Sequence, residues 1–156
     1  MEALQLEAYL HRHIPLSQAM QVRVSQATPD TVVLCVPLAP NLNHRDTAFG
    51  GSIGAAALLA GWSLLSLRLS AAALPARLVI QRSRTEYEQP IDGDFTVHAF
   101  LGSAAEWERF MRTLTRRGRA RLSVGCEIRH VGRKAASFAG EFVALAPEGR
   151  QPRDLI

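Results

Sequence analysis

The densest group of chemically capable side chains in the sequence is Asn43-His44-Arg45-Asp46-Thr47, followed closely by Phe49-Gly50-Gly51. A carboxylate or an imidazole can take a proton from water, and an amide can orient that water. Two glycines let a ligand come close to the backbone. An apolar stretch of helical length begins at once after them. The unpaired N–H groups of its first turn would therefore face whatever the loop holds. Such donors are suited to polarising a carbonyl and holding the oxyanion it becomes. A plain loop that enters a helix through glycine would carry the same residue types.

Other candidates have simpler readings. Gly50-Gly51-Ser52-Ile53-Gly54 matches the Gly-x-Ser-x-Gly nucleophile elbow in form. That elbow needs a preceding strand and a larger sheet with later Asp and His partners, so Ser52 reads as a helix-start hydroxyl. His44 reads as a loop hydrogen-bonder. His11, His13, His98 and His130 are scattered and form no metal-ligand set. Cys35 and Cys126 lie in apolar runs at no metal spacing, which predicts buried free thiols and a reducing cytoplasm.

These residues need elements to position them. Glu2 to Arg12 has the pattern of a short helix that stops before Pro15. Met20 to Ser25 alternates and Thr31 to Val36 is continuously apolar, with Thr28-Pro29-Asp30 between them as a turn, so a hairpin is expected. The long helix is expected from about Ser52 to Ala72. Strands follow at Arg77 to Gln89 and Phe95 to Leu101. Ser103 and Glu106 form a capping box, and Gly118 stops the second helix. Trp107, Phe110, Met111 and Leu114 share that helix's apolar face. Arg119 to Arg129 alternates, with Ala120, Leu122, Val124, Cys126 and Ile128 facing inward. A last strand spans Ala135 to Leu145. In the third strand, Val79, Gln81, Ser83, Thr85 and Tyr87 are expected on one face. From Gln81 onward both faces are polar, which fits either a wet site or a sheet edge.

The chain has 156 residues, 47% apolar and 21% charged, enough for one domain with its own core. We expect a domain over 1–146 and a polar tail over 147–156. Ala48 to Leu67 holds no charge and is long enough to cross a bilayer. A helix apolar all round also suits the interior of a fold, and the half-buried strands need such a core, so no membrane span is expected. The N-terminus lacks the basic and apolar regions of a signal peptide.

The net charge is +4, and the basic residues are seventeen Arg and the single Lys134. Arg109 to Lys134 carries a net +8 and the remainder −4. Nucleic-acid binding would use such a segment, but only 6% of residues are aromatic and no binding motif is present. No nucleic-acid partner is expected.

Pro40-Asn-Leu-Asn-His-Arg-Asp-Thr-Ala-Phe-Gly-Gly-Ser-Ile53, the later Ala60-Gly-Trp62, and Tyr87-Glu-Gln-Pro-Ile-Asp-Gly-Asp94 resemble hotdog-fold thioesterases, most nearly the YiiD C-terminal type. The likeness runs from about Leu10 to Leu145. It implies an α+β hotdog fold, a curved antiparallel sheet wrapped around the long apolar helix. It implies hydrolysis of an acyl thioester on coenzyme A or acyl carrier protein, with coenzyme A as part of the substrate and no separate cofactor. Asn43 and Asp46 would act on water, and Gly50 and Gly51 would supply the oxyanion donors. Substrate contacts would come from His44, Thr47, Phe49, Ser63 and Ser83. Arg116, Arg117 and Arg119 would meet phosphates. A homodimer or dimer of dimers would cover the rest of the helix. Two departures stand out. Many relatives have a carboxylate one or two turns past the glycines, where this chain has Ala55, Ala56, Leu58 and Leu59. Asp46 stands where glycine is common, and is either a displaced base or a loop acid paired with Arg45. A non-catalytic module that binds acyl-CoA is the alternative these departures favour.

Overall fold

Capping boxes, a proline and a glycine set several of the helix ends. The computed structural model describes residues 1–147, so the expected tail lies, apart from Pro147, outside the described residues. Helix α1 spans Ala3–His13, and Pro15 stops it by opening a second short helix, α2, over Pro15–Ala19. Strands β1 (Arg23–Ala27) and β2 (Val32–Val36) form the expected hairpin. A single 3₁₀ turn, Ala39–Asn41, follows. Helix α3 runs Gly50–Ala71, then come β3 (Arg77–Tyr87), β4 (Phe95–Leu101), α4 (Ala104–Arg117), β5 (Arg119–His130) and β6 (Arg133–Leu145). The Ser103–Glu106 capping box holds α4, and Gly118 ends it with φ +65°.

All six strands join one antiparallel sheet in the order β1-β2-β4-β5-β6-β3. The inner face carries Leu34, Val97, Val124, Ile128 and Phe142, each fully buried. Helix α3 lies on that face. Its Ala56, Ala57, Ala60, Leu64 and Leu65 are buried at 0% exposure. Small residues let the helix approach: a Cβ at Gly61 would stand 3.3 Å from the Phe142 ring. Each buried leucine contributes about 1.5–3 kcal/mol relative to exposure, so the uncharged stretch is the main apolar mass of the core. The one charge in α3, Arg68, pairs with Asp30 and lies 5.0 Å from the Trp107 ring centroid.

Strand β3 corrects the expected alternation. A bulge falls between Ile80 and Arg82. Ile80 pairs with buried Phe142, and beyond the bulge Ser83, Thr85 and Tyr87 pair with Gly140, Phe138 and Ala136. Leu78 and Ile80 therefore share the inner face with Ser83, Thr85 and Tyr87, while Val79 points outward. Strand β3 is also a sheet edge, which explains why it is polar on both sides.

Candidate active site

The loop ahead of α3 is tied at its base. Asn41 is 2% exposed, and its Nδ2 donates to the carbonyls of Met20 (2.9 Å) and Pro37 (2.8 Å). Its own carbonyl accepts from Phe49 N–H at 2.7 Å. Ala48 N–H donates to Ile91 O, also at 2.7 Å, which fastens the loop to the turn before β4.

Asn43 organises the loop tip. Its Oδ1 accepts from the backbone N–H of Arg45 (2.8 Å) and of Thr47 (3.2 Å), and its Nδ2 donates to Thr47 Oγ1 (2.9 Å). This is an Asx turn, so the side chain that sequence reasoning set to orient water is engaged in holding the loop. Asp46 follows with φ +58°, in the left-handed region. That conformation is why glycine suits the position, and Asp is among the few other residues that tolerate it. Its side chain is exposed at the loop tip beside exposed His44 and Arg45.

Helix α3 starts earlier than expected and takes in both glycines. Its first intrahelical bond runs from Ile53 N–H to Phe49 O, at 3.1 Å. The amides of Gly50, Gly51 and Ser52 precede that ladder and carry the positive end of the helix. Phe49 is 54% exposed and its ring lies over Gly51, where a Cβ would come within 2.3 Å of it. Tyr87 arrives from the end of β3, and its hydroxyl donates to Gly50 O at 2.9 Å. Ala48, Gly50, Ile53, Tyr87 and Ile91 surround a pocket of about 260 Å³.

The structure thus gathers Asn43, His44, Asp46, Thr47, Phe49, Gly50 and Gly51 at one end of α3. Ser83 lies on the same inner face of β3 as Tyr87, four residues away, or about 13 Å. Two groups fall elsewhere. Ser63 is 0% exposed and lies more than three turns along α3, inside the core. Arg119 pairs with Leu145, which pairs with Arg77, so Arg116, Arg117 and Arg119 sit at the far end of the sheet. The length of β3 puts about 33 Å between them and Tyr87 within one chain. Sequence reasoning did not select Tyr87 or Asn41 as site residues. Tyr87 closes the polar row of the third strand, and Asn41 adjoins Pro40 where the strand breaks; both signals are local.

Two titratable groups of β5 are shifted. His130 Nδ1 bonds to Asp94 O (2.9 Å) and Nε2 to Asp92 Oδ1 (2.8 Å), the first contact chiefly raising its pKa. Cys126 donates to Ala57 O at 3.3 Å, and burial pushes its thiol up to about 12.

An antiparallel sheet curled around one apolar helix, with a polar loop leading into glycines at that helix's start, defines a hotdog-fold protein. The chain belongs to the family described as "Putative thioesterase (yiiD_Cterm)", which matches residues 3–146. Solved structures agree in fold. A protein of unknown function from Chlorobaculum tepidum TLS is 26% identical with a TM-score of 0.85, over 93% of this chain and 94% of that one. A "putative thioesterase" from Shewanella oneidensis is 24% identical with a TM-score of 0.81, over 92% and 96%. A "probable thioesterase" from Pseudomonas aeruginosa is 24% identical with a TM-score of 0.79, over 92% and 96%.

Proposed function

We propose that the protein hydrolyses acyl thioesters of coenzyme A or acyl carrier protein in the cytoplasm. The observation that carries this reading is the start of α3. Three amide donors precede the first intrahelical bond, beside a loop that presents a carboxylate. Water attacks the thioester carbonyl as Asp46 takes its proton. The carbonyl oxygen becomes an oxyanion against the Gly50 and Gly51 amides. Collapse breaks the C–S bond, and the proton passes to the departing thiolate, giving a carboxylic acid and a free thiol. Asn43 contributes by fixing the loop that carries Asp46. A panel of acyl-CoAs of graded length tests the reading. Asp46→Asn should lower kcat by roughly 10²-fold or more on the preferred chain. Failure to turn over any chain length, or full activity in both Asp46→Asn and Asn43→Ala, refutes it.

The arginines enter through a second copy. Strand β3 is an unpaired edge, with Val79, Ile80 and Tyr87 at 42%, 36% and 56% exposure. The outward stripe of α3 is small or apolar: Gly51, Gly54, Ala55, Leu58 and Trp62. Two copies joined antiparallel along β3 would cover both. That pairing would bring the partner copy's arginine segment toward the Tyr87 end, to within about 15–20 Å by strand spacing, a reach suited to coenzyme A phosphates. Replacing Arg116, Arg117 and Arg119 together with Ala should raise KM for acyl-CoA and leave kcat unchanged. An unchanged KM refutes the contact, and a monomer by sedimentation refutes the pairing.

One observation favours a binding module instead. Helix α3 presents Ala55, Ala56, Leu58 and Leu59 past the glycines, so the helix itself supplies no base. Saturable acyl-CoA binding without turnover selects that reading.

A further inference from the structure

The outer face of the sheet, opposite α3, carries a groove of about 730 Å³. A single cross-strand row forms its floor. Arg23 of β1 pairs with Cys35 of β2, Cys35 with Thr96 of β4, and Thr96 with Arg129 of β5. Three inter-strand steps separate the two arginines, about 14 Å between Cα atoms, so both guanidiniums can reach over the row from its ends. Next to the row, Thr96 Oγ1 and His98 Nε2 lie 2.9 Å apart. Burial, and then Arg129, hold His98 below its ordinary pKa against the opposing pull of Glu127.

The charges are left open toward the groove. Arg23 makes no ion pair among the described residues, while Arg129 gives only its Nε to Glu127, at 2.8 Å. Among the described residues the one acid lining the groove, Asp94, accepts from Leu38 N–H at 2.8 Å through Oδ1. At the lip stands Val131. It is 81% exposed and has φ +49°, a conformation that a β-branched residue adopts at a cost and without burial to offset it. It gives the groove an apolar wall that a turn-forming Asn would not supply.

We propose that this groove binds a small phosphate-bearing molecule with an apolar body. The phosphate sits between Arg23 and Arg129 over Thr96, and the apolar part lies against Val131. Guanidinium forks match phosphate oxygens, and two of them flanking a hydroxyl and an imidazole offer an anion several donors; Glu127 engages the Nε of Arg129 and leaves its terminal nitrogens for the phosphate. The α3 start lies on the other face of the sheet, so the proposal is independent of the thioesterase reading.

Amide chemical-shift titration of the full chain with phenyl phosphate, benzoate and inorganic phosphate, each to about 10 mM, tests it. Saturable shifts should appear at Arg23, Thr96, Arg129 and Gly132 and not at Gly50 or Gly51. Phenyl phosphate should bind at least about threefold tighter than either other probe, since each lacks one recognised part. Arg23→Ala with Arg129→Ala should weaken binding by about tenfold or more, in a variant whose spectrum stays dispersed. Val131→Asn should weaken phenyl phosphate and leave inorganic phosphate unchanged. Absence of saturable shifts at the groove, unaltered affinity in the double variant, or benzoate binding as tightly as phenyl phosphate overturns the proposal.

Discussion

Val131→Asn should stabilise the protein. Strands β5 and β6 are joined by Val131-Gly132 alone, with His130 pairing to Arg133. Both loop residues have positive φ, +49° and +72°. This is a type I′ turn, which Asn-Gly favours. A residue with a Cβ incurs about 1–2 kcal/mol in that region, and Val, branched at Cβ, belongs at the upper end. Full burial would return about 1.5–3 kcal/mol, but at 81% exposure only about a fifth of it is realised. Asn relieves most of the strain and forfeits about 0.5 kcal/mol of burial, leaving a net gain of about 1 kcal/mol. For a chain of this length that is about 2–4 °C in Tm. Urea and thermal unfolding at one fixed protein concentration read the effect. Val131→Ala serves as the control, because Ala keeps the Cβ and so most of the strain. The reasoning fails if Val131→Asn is no more stable than the parent, or if Val131→Ala gains as much.

Asn43→Ala removes three hydrogen bonds that close the loop and should cost about 1–2 kcal/mol in urea unfolding, together with lost turnover. Asp46→Gly should gain up to about 1 kcal/mol by relieving the positive φ, measured the same way. His130 has a raised pKa in the folded state, through the Asp94 carbonyl and then Asp92, with its side chain 15% exposed. Its stabilising contribution is therefore complete below the ordinary value of 6.5 and is lost as pH rises through the raised folded value. The urea midpoint difference between parent and His130→Ala should shrink across that window; a difference that grows with pH refutes the assignment. Cys126, with its thiol at about 12, should resist alkylation at pH 8 until the chain is unfolded, as peptide mass mapping would report.

Much of the fold was legible because its signals are local. Alternation set the inward residues of β5, and Ser103, Glu106 and Gly118 set both ends of α4. Phe95–Leu101 and the end of β6 at Leu145 fall where expected. The long uncharged stretch is a core helix, with its apolar side chains packed on the sheet. The misread features depend on partners distant in sequence. The bulge in β3 is defined by its register against β6, which the local pattern does not contain. Gly50 and Gly51 read as a loop by propensity, yet Tyr87 and the ties from Asn41 and Ile91 seat them as the first residues of α3. Ser63 and the arginines matched the chemistry by type, but the direction of α3 and the length of β3 carry them away from the loop.

The sheet order also sets the sequence of events during synthesis. Strand β3 has one partner, β6, and its pairing begins between Arg77 and Leu145. Strands β2 and β4 are joined across a stretch of similar length, but β2 already has β1 beside it. The ribosome releases β3 long before β6, so β3 waits unpaired while the rest of the sheet is made. Until then α3 lacks one wall and Tyr87 has no strand to hold it against Gly50. The helix start is therefore finished last, and a chain truncated before β6 would retain the glycines and the loop while leaving one side of its longest apolar helix uncovered, a target for chaperones rather than a smaller working domain.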